Sequence, residues 1–171
     1  MLAEVELELG LAANAEATLM RALEIEETHT GALALMGRVR LRGLNDPGGA
    51  LAPLQDAFRA DPNDTDTVRD LAETSTQLGH DENARQYFVK LLDFADASRE
   101  DYGQSINHLL RIGDYSAADE VLRRFNQRSG DDTAWFAKMA GAIAASAQRE
   151  NSAEADTLAR RALSSFDAGQ R

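Results

Sequence analysis

Side chains suited to acid–base or metal chemistry are sparse in this 171-residue sequence. The three histidines are His29, His80 and His108, and no two are four residues apart, the spacing of a zinc-binding pair on one helix face. His29 and His80 fall in predicted turns, and His108 falls in a predicted helix. We expect all three to be structural or solvent-exposed, and we predict no catalytic site, no metal site and no cofactor.

Two short segments resemble ligand-binding loops but are better explained as turns. Residues 61–66, with the sequence DPNDTD, have the carboxylate density of a calcium loop but lack its central glycine and its distal glutamate. Residues 46–49, DPGG, lack the Lys-Ser or Lys-Thr that follows a phosphate-binding loop. We predict a turn at each place, with Asp64 as the N-cap of the following helix.

Composition and charge narrow the class of partner. Hydrophobic residues make up 43% of the chain, which excludes a disordered acidic tail, and the absence of cysteine excludes disulfides and thiolate metal sites. The formal charge of −11 would repel a phosphate backbone, so we expect no nucleic-acid binding. No apolar run approaches the roughly 18 residues of a membrane span. We therefore expect a soluble protein without membrane insertion, with the cytoplasm favoured and the periplasm as the alternative.

The charge is unevenly distributed along the chain. Residues 1–29 carry a net charge of −6, residues 30–60 carry +2, residues 61–132 carry −8 and residues 133–171 carry +1. The arginines of residues 30–60 are therefore the only basic part of the N-terminal half.

A turn sequence recurs along the chain at a nearly constant spacing. Gly79 and Gly113 are 34 residues apart, and each is followed five residues later by an alanine. The alanines of this series, at spacings of 35, 34, 34 and 37 residues, are Ala15, Ala50, Ala84, Ala118 and Ala155. A fixed period of this size indicates stacked supersecondary units.

Each unit has the pattern of two amphipathic helices. In the third unit one apolar face precedes Gly79 and another follows it, both with helical spacing. These faces are formed by Val68, Leu71, Ala72 and Ser75, and by Ala84, Tyr87, Phe88, Leu91 and Leu92. Asp64 and Asp114 are predicted N-caps, and the two glycines are predicted to end the first helices in the left-handed conformation. No segment alternates with the period of a strand, so we expect an all-α fold.

These residues resemble the tetratricopeptide repeat (TPR) family. The second repeat has the family's positions at Leu33, Met36, Gly37, Arg40, Ala50, Leu54, Ala57 and Pro62, and the last has them at Phe136, Met139, Ala140, Ile143, Ala155, Ala159 and Ala162. The resemblance implies a right-handed α-solenoid of stacked antiparallel helix pairs that forms a single array over residues 1–171. Its repeats are expected at approximately 1–29, 30–64, 65–98, 99–132 and 133–171.

Several positions depart from the family pattern. Arg40 and Ser75 stand where the family usually has tyrosine. Pro53 follows Ala50 by three residues, so the second helix of that repeat is expected to start late or to kink. The first repeat lacks most of its first helix, which leads us to expect that the chain is one section of a longer protein.

The resemblance implies that the first helices line a concave groove in which a peptide or a partner helix binds. By the family's register, the predicted groove residues are Leu35, Arg38, Leu41, Arg42, Arg69, Glu73, Gln104, Asn107, Leu110, Arg111 and Lys138, with Asp66 and Asp70 on the same face. Trp135 is interpreted either as a partner contact or as a cover for the junction between repeats.

Arg38 and Arg42 are one helical turn apart and can reach the same acidic group. One hypothesis is that this group is a carboxylate of the partner. The other is that both arginines pair with a glutamate or aspartate of a neighbouring repeat, such as one from the glutamate-rich first helix.

We predict a protein–protein interaction scaffold without catalysis. Two alternatives stay open: an accessory arm that recruits substrates for an enzyme, and a homo-oligomeric assembly module that stacks through its first repeat. The partner's identity does not follow from the sequence, and a domain of the same longer chain is one candidate.

Overall fold

The computed structural model describes residues 2–129 and, beyond them, positions 135, 138, 139, 141–143, 145, 146, 153, 156, 157 and 160. The chain divides into two compact units, Met1–Ala97 and Ser98–Arg171, which are called unit 1 and unit 2. Unit 1 contains α1 (Leu2–Glu8), α2 (Ala12–Ile25), α3 (Thr30–Arg38), a π-helical turn (Val39–Gly43), α4 (Pro47–Ala60), α5 (Thr65–Gln77) and α6 (Asp81–Asp93). Unit 2 contains α7 (Arg99–Arg111) and α8 (Tyr115–Ser129). None of the helices that these positions form is long and apolar enough to cross a membrane.

Odd- and even-numbered helices pack as consecutive pairs, and a glycine ends the first helix of three pairs. Gly10, Gly79 and Gly113 have positive φ angles of 75°, 71° and 75°. After Gly79, the backbone N–H of His80 donates to the carbonyl of Ser75 at 2.8 Å, which is the bond that closes a Schellman turn. The predicted left-handed role of Gly79 and Gly113 is confirmed.

The α3–α4 pair is connected differently. A π-helical turn follows α3, and Asn45 takes the left-handed conformation with a φ of 53°. Within the turn, Val39 packs against the core of α1 and α2, whereas Leu41 packs with Ala50 and Leu54. The wider turn thus lets neighbouring residues reach two different parts of the core.

Pro53 lies inside α4, which begins at Pro47, so the expectation that this helix starts late is wrong. A proline cannot donate to the carbonyl four residues before it, which here is that of Gly49. That carbonyl instead accepts a hydrogen bond from Nη1 of Arg40 at 3.1 Å, and Nε of Arg40 donates to Oε1 of Glu16 at 2.8 Å. Arg40, at the family's tyrosine position, therefore supplies the donor that Pro53 removes.

Side-chain caps begin five of the described helices, one of them α4 with Asp46 as its cap. Asp64 accepts from the backbone N–H of Thr67, and Asp114 accepts from that of Ala117 at 3.0 Å, as predicted. Ser98 and Asp101 form a reciprocal capping box at the start of α7. His29 caps α3 because its Nδ1 accepts from the N–H of Ala32 at 3.1 Å, a role that its residue type alone does not indicate.

The periodic alanines form the centre of the helix packing. Ala15, Ala50, Ala84 and Ala118 have no exposed surface, and the large residue four positions after each is also buried. A side chain no larger than a methyl group lets paired helices approach closely. The prediction from the period is confirmed for these four residues, whereas Ala155 and Ala159 lie outside the described residues.

We expect Gly37→Ala to lower the free energy of unfolding by about 2 kcal/mol. A Cβ at Gly37 would overlap the side chain of Leu54, which is fully buried and has no free space to move into. Gly31→Ala, in the exposed first turn of the same helix, is the control and should be neutral or stabilising. Urea unfolding followed by circular dichroism measures both. Equal stability of the two variants would contradict the close approach of α3 and α4.

Candidate functional site

The predicted groove residues of unit 1 come together on the first helices of two successive pairs. Arg38 ends α3, Arg42 lies in the π-helical turn that continues it, and Arg69 and Glu73 lie on α5. α3 and α5 are in direct contact. The structure thus brings six charged side chains to one surface, which is called the inner face: Arg38, Arg42, Asp66, Arg69, Asp70 and Glu73.

A single buried carboxylate joins the two arginines of this inner face. Nε of Arg38 donates to Oδ2 of Asp70 at 2.9 Å, and Nη2 of Arg42 donates to Oδ1 at 2.7 Å. The side chain of Asp70 is only 2% exposed, whereas those of Arg38 and Arg42 are 26% and 46% exposed. Asp70 is therefore bound on both oxygens, and each arginine keeps part of its guanidinium at the surface.

Further ion pairs extend this contact into a cluster. Arg42 also pairs with Glu73 at 3.2 Å, and Arg38 pairs with Asp66 at 3.4 Å. Arg69 contacts the other oxygen of Asp66 at 2.5 Å. Three cations and three anions alternate across α3 and α5, so the inner-face cluster has no net charge.

Burial raises the pKa of Asp70 above its ordinary value, although the nearby charges of Arg38 and Arg42 lower it. Burial alone lowers the pKa of Arg38, but the charge and hydrogen bond of Asp70, together with the charges of Asp66 and Asp64, raise it above its ordinary value. The arginines thus offset the desolvation of Asp70 only in part. The stability of the inner-face cluster therefore depends on both Arg38 and Arg42.

The arrangement bears on both hypotheses for Arg38 and Arg42. Both arginines pair with acids of this chain, as the second hypothesis predicted. The acids lie on α5, in the following repeat, and not on the glutamate-rich first helix. A contact of Arg38 and Arg42 with a partner's carboxylate stays a prediction.

Three predicted groove residues are buried. Leu35 packs in the cluster of apolar side chains that joins α2 and α3, and Leu41 packs against Leu54 and Leu71. Leu110 is buried in unit 2. This corrects the prediction for these leucines, because apolar side chains at the edge of a first helix gain more from the core than from an open surface.

Unit 2 presents the remaining predicted residues. On α7, Gln104 is half-buried and Asn107 is exposed. Arg111 is exposed and lies 3.1 Å from Nδ1 of the buried His108. Lys138 is exposed as well. These side chains are placed where a partner could reach them, and their role stays a prediction.

Trp135 packs inside unit 2. Its ring centroid lies 3.9 Å from that of Phe125, and its Nε1 lies next to Gly103. Only 8% of its surface is exposed, which leaves little area for a partner. The packing interpretation fits this position, whereas the neighbouring Phe136 lies outside the described residues.

The family register predicts Asp70 on the same face as Arg38 and Arg42, but it does not identify Asp70 as the partner of both arginines. A signal exists, because Arg38 precedes Asp70 by 32 residues, which is close to one repeat period, and Arg42 lies one helical turn after Arg38. Side chains separated by about one period lie at the same level of adjacent first helices. Opposite charges at that spacing therefore predict an ion pair between the first helices of adjacent repeats.

The candidate ligand loops have structural roles where the structure describes them. Asp61 accepts a bond from the backbone N–H of Asn63 at 3.0 Å, and Asp64 caps α5. Asp46 caps α4 by accepting from the N–H of Gly49 at 2.8 Å. Among the described residues, no group of three or more histidines, aspartates and glutamates is arranged to hold a metal ion.

Comparisons with solved structures identify similar folds. YrrB, described as a TPR protein with an unusual peptide-binding site, is 18% identical with a TM-score of 0.71, over 95% of this chain and 81% of its own. MamA from Desulfovibrio magneticus is 13% identical with a TM-score of 0.73, over 99% and 92%. A thermophilic TPR protein of Thermus thermophilus, TTC0263, is 20% identical with a TM-score of 0.61, over 83% and 78%.

No family model and no curated protein sequence matches the chain. At identities of 20% or less, the structural similarity concerns the fold. The paired helices, the buried alanine of each pair and the similarity to solved TPR structures lead to the same result. The chain has the fold of the tetratricopeptide repeat proteins, an all-α solenoid of helix pairs, as the resemblance predicted.

Proposed function

We propose that the chain is a non-catalytic scaffold whose inner face binds a peptide or a helix of a protein partner. The observation that supports this most is the ion-pair cluster of α3 and α5. It fixes the geometry of surface guanidinium and carboxylate groups before any partner arrives. Preordered side chains lose less conformational entropy on binding, which favours a groove of this kind.

Because the inner-face cluster has no net charge, it indicates the charge and polarity of the partner's contact surface. Because Arg38 and Arg42 are already bound to Asp70, a strongly acidic peptide would have to compete with a buried carboxylate. The half-exposed Arg42 and Glu73 together offer adjacent donors and acceptors. We infer a partner of mixed polarity that is held by hydrogen bonds to its backbone and polar side chains.

The description of YrrB supports a peptide as the kind of ligand, since it assigns that TPR protein a peptide-binding site. In unit 2, Gln104, Asn107 and Lys138 are exposed or half-buried members of the predicted set. We propose that they contribute polar contacts on that unit's own first helices. The buried leucines are not included.

The test is affinity capture from the source cell's lysate with three baits. The first bait is the wild type, and the second carries Arg42→Gln and Glu73→Gln, which removes one exposed positive and one negative charge from the inner face. The third carries Asp56→Asn and Arg59→Gln, which removes an exposed ion pair of the same composition from α4. Helicity measured by circular dichroism establishes that all three are folded.

We expect a specific protein to be retained by the wild type and by the α4 variant, and to be reduced about tenfold or more with the inner-face variant. Equal retention by all three baits would mean that another surface makes the contact. Equal loss from both variants would mean that the contact responds to surface charge in general. Either result would contradict the proposal.

A further inference from the structure

The α1–α2 pair exposes a row of large apolar side chains on each of its helices. On α1 and the turn after it, Leu2, Val5 and Leu9 are 64%, 50% and 69% exposed. Their i, i+3, i+7 spacing places them on one side of the helix. Leu11, directly before α2, and Ile25, its last residue, are 47% and 90% exposed. Together these five residues are called the end face.

The two rows lie next to each other. Thr18 lies in the middle of α2, seven residues before Ile25 and therefore on the same side of the helix, and seven residues after Leu11. The hydroxyl of Thr18 donates to Oε2 of Glu6 on α1 at 2.9 Å. Glu6 lies four residues from Leu2 and therefore on the same side of α1. The hydrogen bond thus joins the two rows at their middle.

The end face is separate from the core of unit 1. The opposite sides of the same helices carry Ala3, Ala12, Ala15 and Leu19, which pack with the side chains of α3. Neighbouring large apolar residues left exposed on a folded unit are characteristic of interaction surfaces. The end face is therefore a candidate interaction surface, separate from the inner face.

The charges around the end face indicate which kind of partner it binds. Residues 2–29 contain seven glutamates and one basic residue, Arg21. Glu8 precedes Leu9 directly and Glu26 follows Ile25 directly, so exposed carboxylates border both ends of the apolar rows. A second copy that presented the same face would bring glutamates against glutamates.

We propose that the end face binds an amphipathic helix with an apolar stripe and lysines or arginines on its flanks. The exposed apolar side chains of the two antiparallel helices can pack against such a stripe, and the acidic border can pair with the basic flanks. This surface is independent of the inner face. A failure of the inner-face proposal would leave it unchanged.

The experiment uses the full chain and two synthetic helical peptides of about 18 residues. Both have leucines at helical spacing along one side, and one has lysines on the flanks whereas the other has glutamates. Binding is measured by fluorescence polarisation to the wild type, to Val5→Asn with Leu9→Asn, and to Met20→Asn with Val89→Asn. Met20 and Val89 are 52% and 53% exposed but lie off the end face, which makes this a matched control.

We expect the lysine peptide to bind and the glutamate peptide not to bind. The end-face variant should weaken binding about tenfold or more, whereas the control and the inner-face variant Arg42→Gln, Glu73→Gln should bind as the wild type does. Three results would overturn the proposal: absence of binding, equal weakening by end-face and control variants, or wild-type self-association in sedimentation that Val5→Asn with Leu9→Asn abolishes. The last would identify a second copy as the occupant.

Discussion

Replacing Arg38 with methionine is expected to lower the free energy of unfolding by about 2–3 kcal/mol at neutral pH. The change keeps most of the aliphatic packing but leaves the buried Asp70 with Arg42 as its remaining arginine partner. Removing one partner of a buried ion pair typically costs more, about 3–5 kcal/mol, because the other charge is left uncompensated. The smaller value reflects the retained Arg42 and the partial exposure of Arg38.

The loss is expected to shrink as the pH falls. Because the pKa of Asp70 is raised in the folded state, the folded state binds its proton more tightly than the unfolded state does. The stability that this proton contributes is fully present below the unfolded pKa of about 4, and it is lost as the pH rises through the folded value. Removing Arg38 raises the folded pKa further, so the variant loses more at neutral than at acidic pH.

Urea unfolding of wild type and Arg38→Met between about pH 4.5 and pH 7.5 measures this difference. Arg59→Met is the control, because Arg59 is exposed and pairs with the partly exposed Asp56. It should change stability by less than about 1 kcal/mol at either pH. A loss in Arg38→Met that is equal at both pH values would show that the ionisation of Asp70 does not couple to Arg38.

Arg40→Met is expected to lower the free energy of unfolding by about 2–3 kcal/mol. The variant loses the donor to the carbonyl of Gly49, which Pro53 cannot replace, and it loses the partly buried ion pair with Glu16. An unsatisfied carbonyl accounts for most of the estimate, and the ion pair accounts for less than about 1 kcal/mol. Thermal or urea unfolding measures the change.

A double-mutant cycle with Pro53→Ala separates these contributions. Alanine restores a backbone N–H four residues after Gly49, so the carbonyl regains a donor within α4. Arg40→Met should therefore cost about 1 kcal/mol less in the Pro53→Ala background than in the wild type. Additive effects of the two substitutions would contradict the role assigned to Arg40.

The periodic features of the fold could be predicted from the sequence. Ala50, Ala84 and Ala118 are buried where the period places them, and Gly79 and Gly113 end helices in the left-handed conformation. These features depend on residue types that few others can replace, namely the smallest side chain in a close contact and the residue without a Cβ. Local chemistry therefore suffices to identify them.

The contacts that link repeats could not be derived in the same way. The pattern presents Arg40 and Pro53 as two separate departures, although Arg40 compensates for Pro53 by donating to the carbonyl of Gly49, nine residues along the chain. The register predicts Asp70 on the same face as the arginines, but its burial and its two arginine partners depend on how closely α3 and α5 approach. The family register predicts Leu35 and Leu41 on an open surface, because a register gives the direction of a side chain around its helix and not how deeply the side chain is buried.

The most direct test of the central claim is photo-crosslinking from two matched positions. Gln77 on α5 and Gln86 on α6 are both exposed, and each donates to a glutamate four residues earlier in its own helix. A photoreactive amino acid is placed at one or the other position, and the chain is irradiated with the partner that affinity capture retains. Crosslinking at position 77 and not at position 86 is the predicted result. Of the two helices that carry these positions, α5 is the first helix of its pair and α6 is the second. Crosslinking at 86 alone, or equally at both, would contradict binding on the inner face.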